Sequence, residues 1–241
     1  MDKSTQNWFN EWSNEYDKTL GKLQRHHDML DLAVKMSEVK NGENVLDIGC
    51  GTGLLSLKFL KAAKCSIFGI DLSEEMLAHW KKKIATFQLS EKVQVATGDA
   101  SNLQFDDSSF DIVASTVTLH HVKNKQKTID DIHRILKPGG RLVIGDLDVD
   151  TSGDLNDIKR LRHILDYLKE ECTLALQDGG VGAFSRMYDN GKKHILNDGE
   201  YCVDFDTWSE LCKNAGFEDV TVVPVDSFSW MKVLRAQKAL P

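Results

Sequence analysis

Between residues 43 and 147, apolar runs of strand length alternate with amphipathic stretches of helix length. The runs are NVLDI (44–48), SIFGID (66–71), KVQVATG (92–98), FDIVAS (110–115) and RLVIGDL (141–147). Between them lie LLSLKFLKA (54–62), EEMLAHWKKKIATF (74–87) and a helical stretch at about 123–137. Strands apolar on both faces need cover on both faces, and strand–helix–strand succession makes successive strands parallel. The expected fold class is α/β: a doubly wound, mostly parallel sheet, brought to seven strands by an antiparallel hairpin from apolar runs at 217–225 and 228–235.

The helices follow the 3.6-residue period. Met76, Leu77, Trp80, Ile84 and Phe87 form one stripe, and Ile129, Ile132, Ile135 and Leu136 another. Pro138-Gly139-Gly140 ends the second, with a strand beginning near Arg141. Outside this core, Trp8, Trp12, Tyr16 and Leu20 give residues 4–38 an aromatic helical ladder. Ile158, Leu161, Leu165, Leu168, Cys172 and Leu176 mark a long amphipathic helix over 154–178 that ends at Gly179-Gly180. A return helix is expected at about 205–215. The domain organisation read from this is a helical cap (1–40), a core (41–150), a helical insertion (151–200) and a return helix with hairpin (201–241).

Composition narrows the function classes. A net charge of −7, from 30 Lys+Arg against 37 Asp+Glu, disfavours a protein that grips nucleic-acid phosphates. With 41% apolar residues the chain can bury a core, and no run approaches the ~20 apolar residues of a membrane span. Five cysteines without a C-x-x-C pair indicate neither a disulfide framework nor a zinc site, and residues 1–12 do not read as a secretory signal. The expectations are therefore a cytoplasmic protein with no metal, no membrane span and no nucleic-acid partner.

The chemistry concentrates at strand ends. The first strand runs through Asp47-Ile48-Gly49-Cys50-Gly51-Thr52-Gly53 into a helix, a turn that lets a ligand approach the backbone. The spacing is G-x-G-x-G, with Leu54 where a dinucleotide fingerprint has its last glycine. Asp71, ending the next strand 18 residues after Gly53, is placed to accept from ribose hydroxyls. A nucleoside without a required pyrophosphate is expected.

Five motifs in order carry a family resemblance: Asp-x-Gly-x-Gly-x-Gly at 47–53, Asp71, Gly98-Asp99-Ala100, Phe110-Asp111-Ile112-Val113, and Leu136-Lys137-Pro138-Gly139-Gly140. The series resembles that of class I S-adenosylmethionine-dependent methyltransferases, strongly over residues 43–147. The resemblance implies the Rossmann-like methyltransferase fold and S-adenosylmethionine as cofactor. It implies that Gly49, Cys50, Gly51 and Gly53 line the loop under the methionine part and that Asp47 holds the amino-acid end. It places Asp71 at the ribose, Leu72 and Met76 beside the adenine, and Asp99 and Ala100 at its edge. Three aspartates suit a cofactor carrying a sulfonium and an ammonium.

The acceptor is expected beyond strands four and five, where Ser115, a candidate cofactor contact, precedes Val117, His120 and His121, and where Gly145-Asp146 ends the fifth strand. His120 and His121 are the candidate bases, weighed against a role in shaping the pocket, and Tyr16 is the candidate aromatic lid over the sulfonium. Arg25-His26-His27-Asp28 reads as packing rather than as a metal site, because neighbours on a helix point ~100° apart, and Lys81–Lys83 reads as a solvated face. Ser185, Arg186, Tyr188 and His194 in the insertion are candidate polar contacts.

No Pro-Pro or Pro-Cys pair occurs, which demotes nucleobase methylation. The expected partner is a small-molecule methyl acceptor, for a monomer or homodimer. Two alternatives stand beside it. One is methylation of protein or RNA; the other is a non-catalytic cofactor-binding dimer paired through the 154–178 helix.

Overall fold

The computed structural model describes residues 3–197 and 201–240; within these, the side chains of Lys3, Ser4, Thr5, Trp8, Trp12, Asn14, Glu15, Thr19, Leu20, His194 and Asn197 lie outside the described set. The elements are α1 (Lys3–Thr19), α2 (Gln24–Ser37), β1 (Asn44–Ile48), α3 (Leu54–Ala62), β2 (Ser66–Asp71), α4 (Glu74–Thr86), β3 (Val93–Thr97) and β4 (Phe110–Thr116). They continue as α5 (Lys125–Ile135), β5 (Leu136–Leu147), α6 (Ile158–Asn190), α7 (Phe205–Asn214), β6 (Phe217–Val225) and β7 (Phe228–Lys238). One seven-stranded sheet has the order β3-β2-β1-β4-β5-β7-β6. Strands β1 to β5 are parallel, and β7 runs antiparallel between β5 and β6. The hairpin therefore inserts its second strand beside β5 and leaves β6 at the edge.

Burial explains why the core strands are apolar throughout. Val45, Leu46 and Ile48 of β1 and Ile112, Val113 and Ala114 of β4 are fully buried, divided between two apolar clusters on opposite faces of the sheet. Helix α4 buries Met76, Leu77, Trp80 and Ile84 as its period requires, with Ser73 capping its start by accepting from the Met76 N–H at 3.1 Å. Phe87 departs from the stripe. It ends the helix and is 56% exposed.

The inserted helix departs further. It starts at Ile158 and is broken at Gly180 (φ 68°, ψ −162°), beyond which helix resumes to Asn190. Its predicted apolar stripe faces largely outward, with Ile158, Leu165 and Leu176 exposed. The buried face is Arg160, Ile164, Tyr167, Glu171, Cys172 and Ala175. Two ionisable residues sit inside because partners wait there. The Arg25 guanidinium of α2 donates to Glu171 at 2.6 and 3.2 Å, and to Asp178 at 2.7 Å. Arg160 donates to the Thr151 carbonyl at 2.8 Å.

Candidate functional site

The turn after β1 is built as its glycines require. Gly49, Gly51 and Gly53 have φ of 72°, 51° and 87°, the left-handed region that L side chains rarely adopt. The N–H groups of Gly49 and Cys50 both donate to the Ile70 carbonyl, tying the loop to β2. A Cβ on Gly49 would lie 2.1 Å from Thr118 Oγ1, and one on Gly53 would lie 2.2 Å from the Trp80 ring. A Cβ on Gly51 would meet nothing within 4 Å, since that residue faces open space.

That space is a cavity lined by Ile48, Gly49, Gly51, Asp71, Leu72, Met76, Gly98 and Ala100 from the core and by Gln6, Phe9 and Tyr16 from α1. Asp71 accepts from the backbone N–H of Gly51 at 2.9 Å and of Ser73 at 2.8 Å, so both its oxygens are aimed by the loop they serve. Asp47 lies directly behind this wall, 1% exposed, accepting from Ser56 Oγ at 2.6 Å. Burial, against the Ser56 hydrogen bond and assisted by the nearby Asp71 carboxylate, pushes the Asp47 carboxyl up to about 7. Burial likewise raises Asp71, opposed by hydrogen bonds from Ser73, Gly51 and Leu72.

Four further sequence candidates fall outside this lining, Gly53 among them, packed against Trp80. Ser115 spends its hydroxyl on the Ile48 carbonyl at 2.9 Å, inside the sheet. Asp99 lines a neighbouring cleft with Phe68, Ile70 and Asn102, its carboxylate accepting from the Ser101 N–H. The Cys50 side chain is buried, and its thiol is pushed far up by burial and by Asp47 and Asp71, so it is no thiolate nucleophile.

A second cavity adjoins the first and shares Phe9, Tyr16, Val117 and His121 with it. Its walls are mostly apolar: Leu23, Leu147, Tyr167, Met187, Ile195 and Met231. Its polar side chains include His120 and His121 after β4, Arg25, His26 and Glu171 between α2 and α6, and Asn190 at the end of α6. The His120 ring holds Asp146 Oδ1 through Nδ1 at 2.7 Å, both residues being buried. A carboxylate only accepts, so Nδ1 is the donor in this bond. Lys125 pins this turn, donating to the carbonyls of Val122 at 2.7 Å and His120 at 3.3 Å. Its ammonium is lowered to about 8 by burial, against the pull of Asp146.

Phe9 meets His121 edge-on at 5.5 Å between ring centroids. The Tyr16 phenol is raised above its usual range by burial and then by Asp71, Asp17 and Asp47, which keeps it protonated at neutral pH. Val117 has φ 51°, a β-branched residue in the left-handed region at the point where the cavities meet, a strain of order ~1–3 kcal/mol.

Sequence reasoning missed how α1 is fastened over the first cavity. Gln6 donates to the Leu72 carbonyl at 2.7 Å, Ser73 to Asn10 at 2.6 Å, and Asp17 accepts from Thr52 and pairs with Lys83 at 2.6 Å. Lys83 is thus a latch, whereas Lys81 and Lys82 are exposed as expected. Among the described residues α1 lines the cavity with Gln6, Phe9 and Tyr16, of which Tyr16 belongs to the predicted ladder. The Arg25–Asp28 segment packs as expected, but its first two residues also line the second cavity. Among the described residues no group of three or more His, Cys, Asp and Glu could hold a metal ion, and no helix is long and apolar enough to cross a membrane.

A glycine-rich turn after β1, a carboxylate ending β2 and a sheet closed by an inserted antiparallel strand define a class I methyltransferase fold. Residues 46–144 match the family model described as a methyltransferase domain. The chain is 34% identical over 139 residues to the demethylmenaquinone methyltransferase of Staphylococcus epidermidis, covering 56% of each protein. It is 33% identical over 151 residues to the ubiquinone/menaquinone biosynthesis C-methyltransferase UbiE of Blochmanniella floridana, covering 58% of this chain and 59% of that protein. The chain thus spans a little over half the length of these curated relatives. Phosphoethanolamine N-methyltransferase 2 of Haemonchus contortus, solved with S-adenosyl-L-methionine, shares the fold at a TM-score of 0.63 and 20% identity, over 96% of this chain and 60% of that one.

Proposed function

We propose that the protein is an S-adenosylmethionine-dependent methyltransferase acting on a small, largely apolar acceptor with an ionisable hydroxyl. The observation that carries this reading is the pair of adjoining cavities. One is floored by the glycine turn with carboxylates behind it; the other is apolar with a His120–Asp146 pair in its wall. The relatives named as quinone C-methyltransferases support an apolar ring as acceptor.

The first cavity fits the cofactor. Gly51 leaves room for a ligand against the backbone, and Asp47 and Asp71 suit positive charge. In this reading Gly49, Gly51 and Gly53 shape the methionine site and Asp71 takes the ribose hydroxyls. Leu72, Met76 and Ala100 flank the adenine, with Asp99 reaching its edge from the adjacent cleft. When bound, the cofactor supplies an electrophilic methyl group. The chain's contribution is alignment across the shared wall, which accounts for up to ~7–11 kcal/mol in well-oriented reactions. The other part is a base. His120 Nε2 takes the acceptor's hydroxyl proton, Asp146 steadies the imidazolium, and the resulting oxyanion enriches the acceptor in electrons. His121 and the protonated Tyr16 hydroxyl shape the junction. Residues 1–40 and 151–200 act as the two caps of a core at 41–150, completed by 201–241. Five buried cysteines outside any disulfide suit a reducing cytoplasm.

Calorimetric titration with S-adenosylmethionine and S-adenosylhomocysteine tests the cofactor, and absence of heat with both defeats the reading. Methyl-labelled cofactor with a metabolite extract tests the acceptor: label is expected in the low-mass fraction, and label confined to macromolecules would favour protein or RNA methylation instead.

The Asp47 carboxyl makes affinity pH-dependent. A cationic cofactor binds its ionised form, so binding releases a proton, and affinity is expected to rise with pH up to about 7, by at most ~10-fold per unit, then level off. Asp47→Asn should flatten the profile. The same group weakens the unliganded fold in the opposite sense. Its pKa is raised from 3.8 to about 7, so across that window the folded state keeps a proton the unfolded chain has lost, and stability falls as pH rises. Titrations and thermal melts between pH 5 and 8.5 read both slopes.

A further inference from the structure

The α2–α6 end of the second cavity is not used by the proton transfer above, and its chemistry is specific. His26 is buried, its ring lines the cavity, and its Nδ1 has no hydrogen-bond partner among the described residues. Beside it stands Arg25, 2% exposed and held by two carboxylates, Glu171 and Asp178. Arg25 is the one guanidinium or ammonium among the described residues lining this cavity. Three of its five N–H donors are bonded to these carboxylates, and the trio carries one negative charge in excess.

We infer that this end of the cavity is a specificity subsite that takes a neutral hydroxyl group of the acceptor through His26 and turns away anionic groups. The inference rests on the reading of the second cavity as the acceptor site. Two arguments carry it. A buried ring nitrogen without a partner is costly, and an arriving hydroxyl supplies one. An anion meets a guanidinium whose charge is already outweighed by two carboxylates, and would be desolvated beside their excess charge. His26 itself adds no positive charge: burial, then the cations of His27, Arg25 and Lys58, lower its pKa to about 3, so it is neutral at physiological pH and offers one donor and one acceptor. The acceptor that fits has an apolar body and two polar groups, one at His120 and one uncharged group at His26. Sites built around a buried polar partner reject analogues lacking the matching group far better than apolar pockets do.

The test uses the full chain saturated with S-adenosylhomocysteine and three probes of one ring system, kept reduced under anaerobic conditions. These are 1,4-dihydroxynaphthalene, 1-naphthol and 4-hydroxy-1-naphthoate. The diol is expected to bind at least ~10-fold more tightly than 1-naphthol, with the carboxylate weakest of the three. His26→Phe should bring the diol-to-naphthol ratio to within about twofold while leaving S-adenosylhomocysteine affinity unchanged, and His26→Gln should restore part of the ratio. Should His26→Phe fail to fold, His26→Leu reads the same ratio. The subsite is overturned if the wild-type ratio is near one, if the apolar variants keep it, if the carboxylate binds best, or if none of the probes binds. Retained discrimination without methyl transfer would instead sink the proposed activity and leave the subsite standing.

Discussion

Gly49→Ala is expected to abolish cofactor binding, a loss of at least ~100-fold, and to lower stability by ~2–4 kcal/mol. Two penalties coincide at this residue. Its φ of 72° is strained for any residue with a Cβ, and the added methyl would lie 2.1–2.6 Å from three atoms of Thr118. Thr118 cannot simply rotate away, because its short branched side chain is bonded to the Thr116 carbonyl at 3.1 Å and its backbone carbonyl accepts from His121. Relief must come from moving the glycine turn or the turn carrying His120 and His121, and both line the site. Gly51→Ala is the informative comparison. Its φ is also positive, but its Cβ meets nothing, so backbone strain acts without a collision inside the protein. Calorimetry with S-adenosylhomocysteine and thermal melts of the two variants separate these contributions. Equal, small effects at both positions would remove Gly49 from the role assigned to it.

This turn was legible in the sequence because its chemistry is local. Three glycines at alternate positions after an apolar run demand left-handed backbone, and Asp71 lies one strand–helix–strand unit further on. Most of the sheet was readable for the same reason, since the period of two or of 3.6 is set by immediate neighbours. Position 115 misled because a serine at a strand end can face a ligand or cap a neighbouring strand, and only the register with Ile48 decides. Helix α6 misled more instructively. Its sequence offers two stripes one residue apart, and the more apolar of them is the exposed one. The buried stripe carries Arg160 and Glu171, whose burial depends on Thr151 and on Arg25, the latter 146 residues away from Glu171. No local pattern encodes such a pairing. The role of Phe9 was hidden in the same way: it lies one position from Trp8 in a helix rich in aromatics, and its partner His121 is distant in sequence.

The same long-range pairing makes the second large effect specific. His120→Ala is expected to reduce kcat by ~10²–10⁴-fold at pH 7.5 while leaving affinity for S-adenosylhomocysteine within about twofold. His120 lines only the second cavity, so removing its imidazole deletes the base without touching the glycine turn or Asp71. Asp146→Asn tests the arrangement rather than the base alone. Asp146 Oδ1 receives both His120 Nδ1 and the Leu147 N–H, and a carboxamide oxygen can keep those bonds. An amide loses the negative charge that stabilises the imidazolium formed on proton transfer, and its NH₂ group, if turned toward Nδ1, imposes the opposite tautomer and places the proton on Nε2. The expected result is a large fall in kcat with KM for the acceptor little changed, and a basic limb of the pH–rate profile displaced to higher pH because an acceptor left without a base must ionise unaided. A structural role for the pair would give another pattern, with a lowered melting temperature and equal losses in acceptor and cofactor affinity. If both variants retain near-wild-type kcat across pH 6–9, methyl transfer here needs no base, and the acceptor is a nucleophile already deprotonated in solution, its alignment in the apolar cavity being the chain's main contribution.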